Sequence, residues 1–92
     1  VDQALRRQAA RTAGMRCAKD EKTLKALAWS LAFGADPLAD PADAVAAAEA
    51  ALALGRIGTT AARRMLEQMR ERANPTADSA IRSALRQPAG CR

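Results

Sequence analysis

The sequence predicts an all-α protein, a compact bundle of about five short helices closed by one disulfide. Alanine is very frequent and β-branched residues are scarce, which favours helix over strand. Every Pro or Gly cluster falls between segments of helical periodicity. The chain of 92 residues also carries two cysteines near its ends. We expect a single helical domain over residues 1–92.

The apolar periodicity predicts helices over residues 2–15, 20–34, 41–54, 59–73 and 78–87. Residues whose side chains can accept hydrogen bonds from free backbone N–H groups predict the helix starts. They are Asp20, Asp40 (followed by Pro41), Thr59 or Thr60, and Asp78. Gly34 and Gly55 lie where helices two and three should end, at positions that favour a left-handed residue.

Helix two is apolar on nearly all sides, so we predict that it is the central element of the core. Its first stripe consists of Leu24, Leu27, Ala28 and Leu31. Trp29 and Phe33 form a second stripe. Helix three (AVAAAEAALAL) carries a single charge, and its small side chains allow close helix packing, so it too should be largely enclosed.

The other three helices have one apolar face each, which we expect to point into the core. These faces are Leu5, Ala9 and Ala13 in helix one; Ala61, Ala62, Met65, Leu66, Met69 and Ala73 in helix four; and Ala80, Ile81, Ala84 and Leu85 in helix five.

The charges are unevenly distributed along the chain. The formal net charge is +5, and most of the basic residues are arginines. Residues 36–55 contain four carboxylates and no basic side chain, whereas residues 56–92 hold most of the arginines. This pattern fits an arginine-bearing surface for an acidic partner, and equally the solvated faces of ordinary helices. Two aromatic residues are too few for the stacking platform that binds single-stranded nucleic acid.

Cys17 and Cys91 can form one intramolecular disulfide. Such a bond would close a loop of about 75 residues and stabilise the fold by about 4–5 kcal/mol in the chain-entropy model. It would place the protein in an oxidising compartment, periplasmic or secreted. Two exposed free thiols in a cytoplasmic protein are the competing interpretation. Because the first residue is Val1 and not methionine, we expect that a signal peptide, a tag or a longer chain precedes it.

The residue types give little support to catalysis or metal binding. The chain has no histidine, so it lacks an imidazole base and an imidazole metal ligand. We expect Cys17 to be structural rather than catalytic. Asp36, Asp40 and Asp43 suit helix capping better than a calcium loop, which needs closer alternating ligands. No enzymatic activity, cofactor or metal is expected. No apolar run is long enough to span a membrane.

A weak repeat at an offset of 38 residues relates Asp40-Pro41-Ala42 to Asp78-Ser79-Ala80 and to Asp2-Gln3-Ala4. Residues 40–87 resemble a HEAT-type helical hairpin. An open solenoid would hold the two cysteines on the order of 20 Å apart. A disulfide needs Cα atoms within about 7 Å. We therefore predict a closed bundle.

The segment around the first cysteine carries a second resemblance. Cys17 follows a first helix and the sequence AGMR, and KALAWSLAFGAD then forms a hydrophobic second helix. In this arrangement the chain resembles the small, bacterial, all-helical pilotin lipoproteins that escort secretins and carry one disulfide. The resemblance implies a periplasmic adaptor or chaperone. A periplasmic immunity or inhibitor protein would have the same size, helicity and disulfide.

We predict an exported, non-enzymatic module that binds another protein, with an acidic or helical segment received in an apolar groove. Trp29 and Phe33 are the candidate anchors, and Arg63 and Arg64 the candidate orienting residues. The two aromatics could instead complete the core. The alternative function is a cytoplasmic helix-turn-helix domain, with Thr59, Thr60, Arg63 and Arg64 at the front of a recognition helix, or a HEAT-like scaffold with free thiols.

Overall fold

The computed structural model describes residues 3–91, which form five α-helices and no β-strand. In chain order the helices are α1 (Gln3–Met15), α2 (Glu21–Ala35), α3 (Pro41–Ile57), α4 (Thr60–Met69) and α5 (Pro75–Arg86). The predicted all-α class is confirmed. The predicted start of helix one at residue 2 lies outside the described residues.

Side-chain oxygens cap α2, α3 and α4 as predicted. Asp20 Oδ2 accepts hydrogen bonds from the Thr23 backbone N–H at 2.9 Å and from the Thr23 hydroxyl at 2.8 Å. Asp40 and Thr59 accept from backbone N–H groups in the first turns of α3 and α4. Of the two threonines considered for helix four, Thr59 is the cap and Thr60 is the first helical residue.

The prediction is wrong at the boundary between helices four and five. Helix α4 ends at Met69, and α5 begins at Pro75 with Asn74 as its N-cap. The predicted cap, Asp78, lies one turn inside α5, where its carboxylate is paired with Arg82 at 2.6 Å. Asn74 takes the capping role because Pro75 suits the first helical position.

Asn74 also joins two helix ends that are far apart in sequence. Its side-chain amide donates to the carbonyl oxygens of Gly34 at 2.8 Å and Asp36 at 3.0 Å. Its backbone N–H donates to the Ala35 carbonyl at 2.8 Å. These bonds satisfy carbonyls at the end of α2 that helix geometry leaves free, and they fix the start of α5 against α2.

Helix α3 is the central element, and it packs against each of the other four helices. The expected enclosure of helix three is correct, but the prediction that helix two is central is wrong. Most of the fully buried side chains of α3 are alanines, which allow neighbouring helix axes to approach closely. The larger buried side chains of the core are Leu24, Leu27, Leu31, Leu54, Ile57, Leu66 and Ile81.

Two glycines that were predicted to end helices instead lie inside them, at close helix contacts. A Cβ on Gly34 would lie 2.8 Å from the Cβ of Ala47 on α3. A Cβ on Gly55 would lie 2.6 Å from the Cβ of Ala84 on α5. The left-handed residue that ends α3 is Gly58, with φ of 68°. Packing, rather than turn conformation, therefore explains Gly34 and Gly55.

Of the apolar face predicted for helix one, only Ala13 packs against the core. Ala10 and Gly14 pack against α3, whereas Leu5 is 61% exposed, Ala9 is exposed and Ala13 is half-buried. Gly14 permits this contact because its missing side chain leaves room for α3. A smaller discrepancy occurs in α4, where Ala62 and Leu66 are buried as predicted but Ala61 is exposed.

Cys17 and Cys91 are joined by a disulfide, with their Cα atoms 5.5 Å apart. Cys17 occupies the left-handed position (φ 55°) that terminates α1, where the Ala18 N–H donates to the Ala13 carbonyl. Cys91 is buried, and its N–H donates to the Arg56 carbonyl at the end of α3 at 3.0 Å.

The predicted closed bundle is confirmed. The Cα radius of gyration is 11.3 Å. A compact domain of this length is expected to have a value of roughly 12 Å.

Candidate functional site

A groove separates α1 from α2 on the face of the molecule away from α4 and α5. The two helices each pack closely on α3 but barely touch each other. The space between them measures about 500 Å³, and most of its surface is apolar. Its lining includes Ala9, Ala10 and Ala13 from α1, and Ala26, Leu27 and Trp29 from α2.

The groove exists because small residues draw α1 and α2 onto α3 while leaving the gap between them unfilled. Gly14 brings α1 against Ala53, and Gly34 brings α2 against the start of α3. Apart from Arg6 at one end, the α1 side chains that line the gap are alanines, too short to cross it. Ala9 and Ala13, two of the three α1 residues that the sequence assigned to the core, line this groove.

Trp29 lines the groove on α2, and Phe33 extends its exposed aromatic surface beyond the groove. They are 56% and 49% exposed, and their rings stack with centroids 5.2 Å apart and an interplanar angle of 9°. The sequence left open whether these rings complete the core or face solvent, and they face solvent. A rigid stacked pair of this kind offers a large apolar contact area at low conformational cost.

Arg6 closes one end of the groove by linking three helices. From α1 its guanidinium lies 5.3 Å from the ring centroid of Phe33 on α2. It also forms an ion pair with Asp43 on α3. Both charged side chains are largely buried, so the pair holds α1, α2 and α3 at fixed distances. Arg6 and Asp43 are 37 residues apart, and nothing in the local sequence pattern indicated their pairing.

Ser30 is a polar residue within the otherwise apolar floor. It is 9% exposed, and its Oγ has no hydrogen-bond partner among the described residues. A buried hydroxyl without a partner is unfavourable by about 1–3 kcal/mol, so its retention calls for a reason. The sequence pattern did not mark Ser30 as a site residue, because serine on a helix is common and its burial depends on the tertiary fold.

Charges of opposite sign flank the two ends of this surface. Lys22 lines the groove near the start of α2, and Arg16 lines a neighbouring hollow that shares Ala9, Ala13 and Thr23 with it. Beyond Phe33, at the other end, a second hollow is lined by acidic residues and by Leu38, which is 95% exposed.

The candidate arginines from the sequence lie elsewhere on the molecule. Arg63 packs along α5, where its Nη2 donates to the Leu85 carbonyl at 3.2 Å, and Arg64 is exposed on α4. The structure thus separates them from Trp29 and Phe33, and the arginine beside the aromatic pair is Arg6. Arg63 lines a separate pocket of about 320 Å³ together with Glu67, Arg70, Arg82, Leu85 and Arg86.

Several carboxylates in the described part of the chain stabilise the fold. Asp36 Oδ1 accepts from the Leu38 N–H at 2.8 Å, Asp40 caps α3, and Asp43 pairs with Arg6. Hydrogen bonds from the Thr23 hydroxyl and N–H lower the pKa of Asp20. Among residues 3–91 no cluster of three or more acidic or cysteine side chains could hold a metal ion.

A second carboxylate with a lowered pKa lies on α5. The hydrogen bond from the Arg82 side chain lowers the pKa of Asp78, and the same bond raises the pKa of Arg82.

No protein-family model, curated protein or solved structure matches this chain. Within residues 3–91, no helix has both the length and the apolar character that crossing a bilayer requires.

Proposed function

We propose that this protein is a non-enzymatic, exported module that binds another protein by receiving a helical segment in the groove between α1 and α2. The observation that carries the proposal is the exposed, stacked pair of Trp29 and Phe33 beside an apolar groove. Aromatic anchors next to a desolvated pocket typically contribute about 2 kcal/mol or more each to a protein–protein contact.

The groove matches the way proteins accept amphipathic helices. Such a partner inserts residues spaced three and four positions apart into a groove with apolar walls. Here the alanines of α1 and α2 leave room for inserted side chains, and Trp29 and Phe33 would cover them from one side. A preformed groove lowers the conformational cost of binding.

The proposed location outside the cytoplasm rests on the disulfide. Disulfides persist in oxidising compartments and are rare among cytosolic proteins. The protein has one disulfide and an all-helical fold. Within this class we therefore propose two roles, a pilotin-like adaptor or chaperone, or a periplasmic immunity or inhibitor protein.

A selection experiment tests the groove as a binding site. Oxidised protein would be used to select helical peptides from a displayed library, and the affinities of the selected peptides would be measured for wild type, Trp29→Ala and Leu52→Ala. Leu52 is a matched control because it is a half-exposed apolar residue on α3. We expect Trp29→Ala to weaken binding by about tenfold or more, and Leu52→Ala to leave it unchanged. Peptides that bind both variants equally would show that the groove is not the binding site.

A second candidate is DNA binding at the arginine surface of α4 and α5, which Arg63, Arg70, Arg82 and Arg86 line. This follows the helix-turn-helix alternative, in which α4 would be the recognition helix. Two of these arginines already have protein partners, Leu85 for Arg63 and Asp78 for Arg82. Fluorescence anisotropy with duplex DNA tests it. Binding that weakens steeply with salt and is reduced by Arg64→Glu would favour this candidate over the groove.

A further inference from the structure

We infer that the partner of the groove is an amphipathic helix of at least three turns whose carboxylates are concentrated at the end that reaches Lys22 and Arg16. This inference rests on the proposed function and specifies the chemistry of its partner. The combination of an apolar groove with unpaired basic side chains at only one of its ends carries it.

The charged side chains that line the groove and the hollow next to it are all basic. They are Arg6, Arg16 and Lys22. Arg6 is neutralised by Asp43, whereas Arg16 and Lys22 form no close ion pair within the described residues. A partner that brings carboxylates to these two side chains gains attraction and faster association.

The opposite end of the same surface has the opposite charge. Beyond Phe33 the hollow is lined by Asp36, Asp40 and Asp43, of which Asp36 and Asp40 are exposed. A helix that is acidic along its whole length would meet repulsion there. The partner's acidic residues must therefore be confined to the end at Lys22, and neutral or basic residues must lie over the end at Phe33.

The length of the partner follows from the spacing of these features. Lys22 and Phe33 are eleven residues apart on α2, which is about 16 Å along the helix axis. A partner helix lying along the groove needs about eleven residues, or three turns, to reach both ends.

Ser30 supplies a polar requirement within the same groove. Its hydroxyl is nine-tenths buried and has no partner among the described residues. The Ser30 Oγ is almost fully enclosed, so its side chain would have to rotate towards the groove before an oxygen-bearing side chain on the partner's apolar face could accept its hydrogen bond. A purely aliphatic ligand would leave it unpaired, as it is in the free protein.

Three designed peptides of about 14 residues test this inference. They share one apolar stripe without tryptophan and differ at one end, which carries three glutamates, three lysines or three glutamines. Binding would be followed through the emission of Trp29, the single tryptophan of the chain, and by calorimetry. We expect the glutamate peptide to bind about tenfold more tightly than the lysine peptide, and the difference to shrink between about 0.05 M and about 0.5 M salt.

Charge-reversal variants identify the end of the groove that contacts the charged residues of the peptide. Lys22→Glu and Arg16→Glu should reduce the preference for the glutamate peptide, and together reverse it. Arg64→Glu is the matched control, because it changes the net charge equally on exposed α4 and should leave the preference intact. The Ser30→Ala variant should bind a glutamate peptide with a serine or glutamine in its stripe more weakly than wild type does. It should bind the glutamate peptide with an all-aliphatic stripe as tightly as wild type does.

Several results would overturn the inference. Equal binding of the three peptides, with the loss at Trp29→Ala retained, would refute the charge requirement and leave the groove as a protein-binding site. Absence of binding by all three, while selected peptides do bind the groove, would refute the proposed partner chemistry. A larger change in Trp29 emission on anionic phosphatidylglycerol vesicles than on any peptide would assign the surface to a membrane. Concentration-dependent dimerisation in sedimentation velocity, abolished by Trp29→Ala, would assign it to a second copy of this chain.

Discussion

Replacing Gly34 by alanine tests the packing that shapes both the core and the groove. Gly34 lies inside α2, where it touches the first turns of α3. An added Cβ would lie 2.8 Å from the Cβ of Ala47 and closer still to the carbonyl oxygen of Asp43. The backbone carbonyl cannot move aside as the end of a flexible side chain could, so α2 and α3 would have to separate.

Two opposing effects set the expected magnitude. Overpacking a close contact lowers the free energy of unfolding by about 1–3 kcal/mol. Because the obstacle is backbone, Gly34→Ala should fall at the upper end of this range. Alanine in a helix interior recovers about 1 kcal/mol relative to glycine. The net loss should be about 2 kcal/mol, which lowers the melting temperature of a domain of this size by about 8–16 °C.

Gly14→Ala is the matched control, because the same substitution there meets a milder contact. A Cβ on Gly14 would lie 3.1 Å from the Cα of Ala53, so a shift of a few tenths of an ångström relieves it. Its stability should remain within about 1 kcal/mol of wild type. Urea unfolding followed by circular dichroism measures both variants, with equal m-values as the check on two-state behaviour. A Gly34→Ala protein as stable as wild type would refute the close approach of α2 and α3.

Three further predictions concern the core, the disulfide and the dependence on pH. Leu31→Ala removes a fully buried side chain and should lower the free energy of unfolding in urea by about 2–5 kcal/mol. Leu38→Ala, at a residue that is 95% exposed, should have little effect. Equal unfolding midpoints for the two variants would contradict the assigned burial. Reduction of the Cys17–Cys91 bond should cost about 4 kcal/mol, and two thiols titrating in unreduced native protein would contradict the bond itself. Because the folded-state pKa of Asp20 is lowered, its contribution to stability is complete above the unfolded pKa of about 3.9 and is lost as pH falls through the folded value. Asp20→Asn should therefore show a smaller decrease in melting temperature between about pH 5 and pH 2 than wild type, and an unchanged slope would contradict the lowered pKa.

The features that the sequence predicted correctly depend on residues close together in the chain. Asp20, Asp40 and Thr59 cap their helices because a side-chain oxygen reaches N–H groups two or three residues ahead. The Leu27 and Leu31 stripe of α2 is buried because the helical period places these residues on one face. The pairing of two cysteines in a closed bundle followed from their number and from the geometry that a disulfide requires.

The features that the sequence did not predict depend on contacts between distant residues. Helix α2 has the most apolar sequence around its circumference, but α3 is central because alanine and glycine allow three neighbours to approach it closely. Arg6 meets Asp43, and Asn74 meets the end of α2, across 37 to 40 residues. Nothing in the local sequence distinguishes these largely buried polar residues from polar side chains that stay exposed. An apolar groove was expected beside Trp29, but its position between α1 and α2 went unpredicted for the same reason, since the alanines that line it have the periodicity of a core face.

The attachments of α1 indicate why the groove stays open. Only Ala10 and Gly14 of this helix are buried, so apolar burial alone holds it weakly. Three links to the rest of the fold are spaced along it: Arg6 to Asp43, Arg11 to Glu49 at 2.8 Å, and the disulfide of Cys17. The first two bind α1 to α3 and the third fixes its end, and towards α2 Arg6 reaches only the Phe33 ring at one end of the groove. A helix held in this way stays apart from Trp29 and leaves the space between them open. A partner would therefore meet a groove that is already formed. Folding has already ordered the groove, so binding would not have to meet that entropic cost.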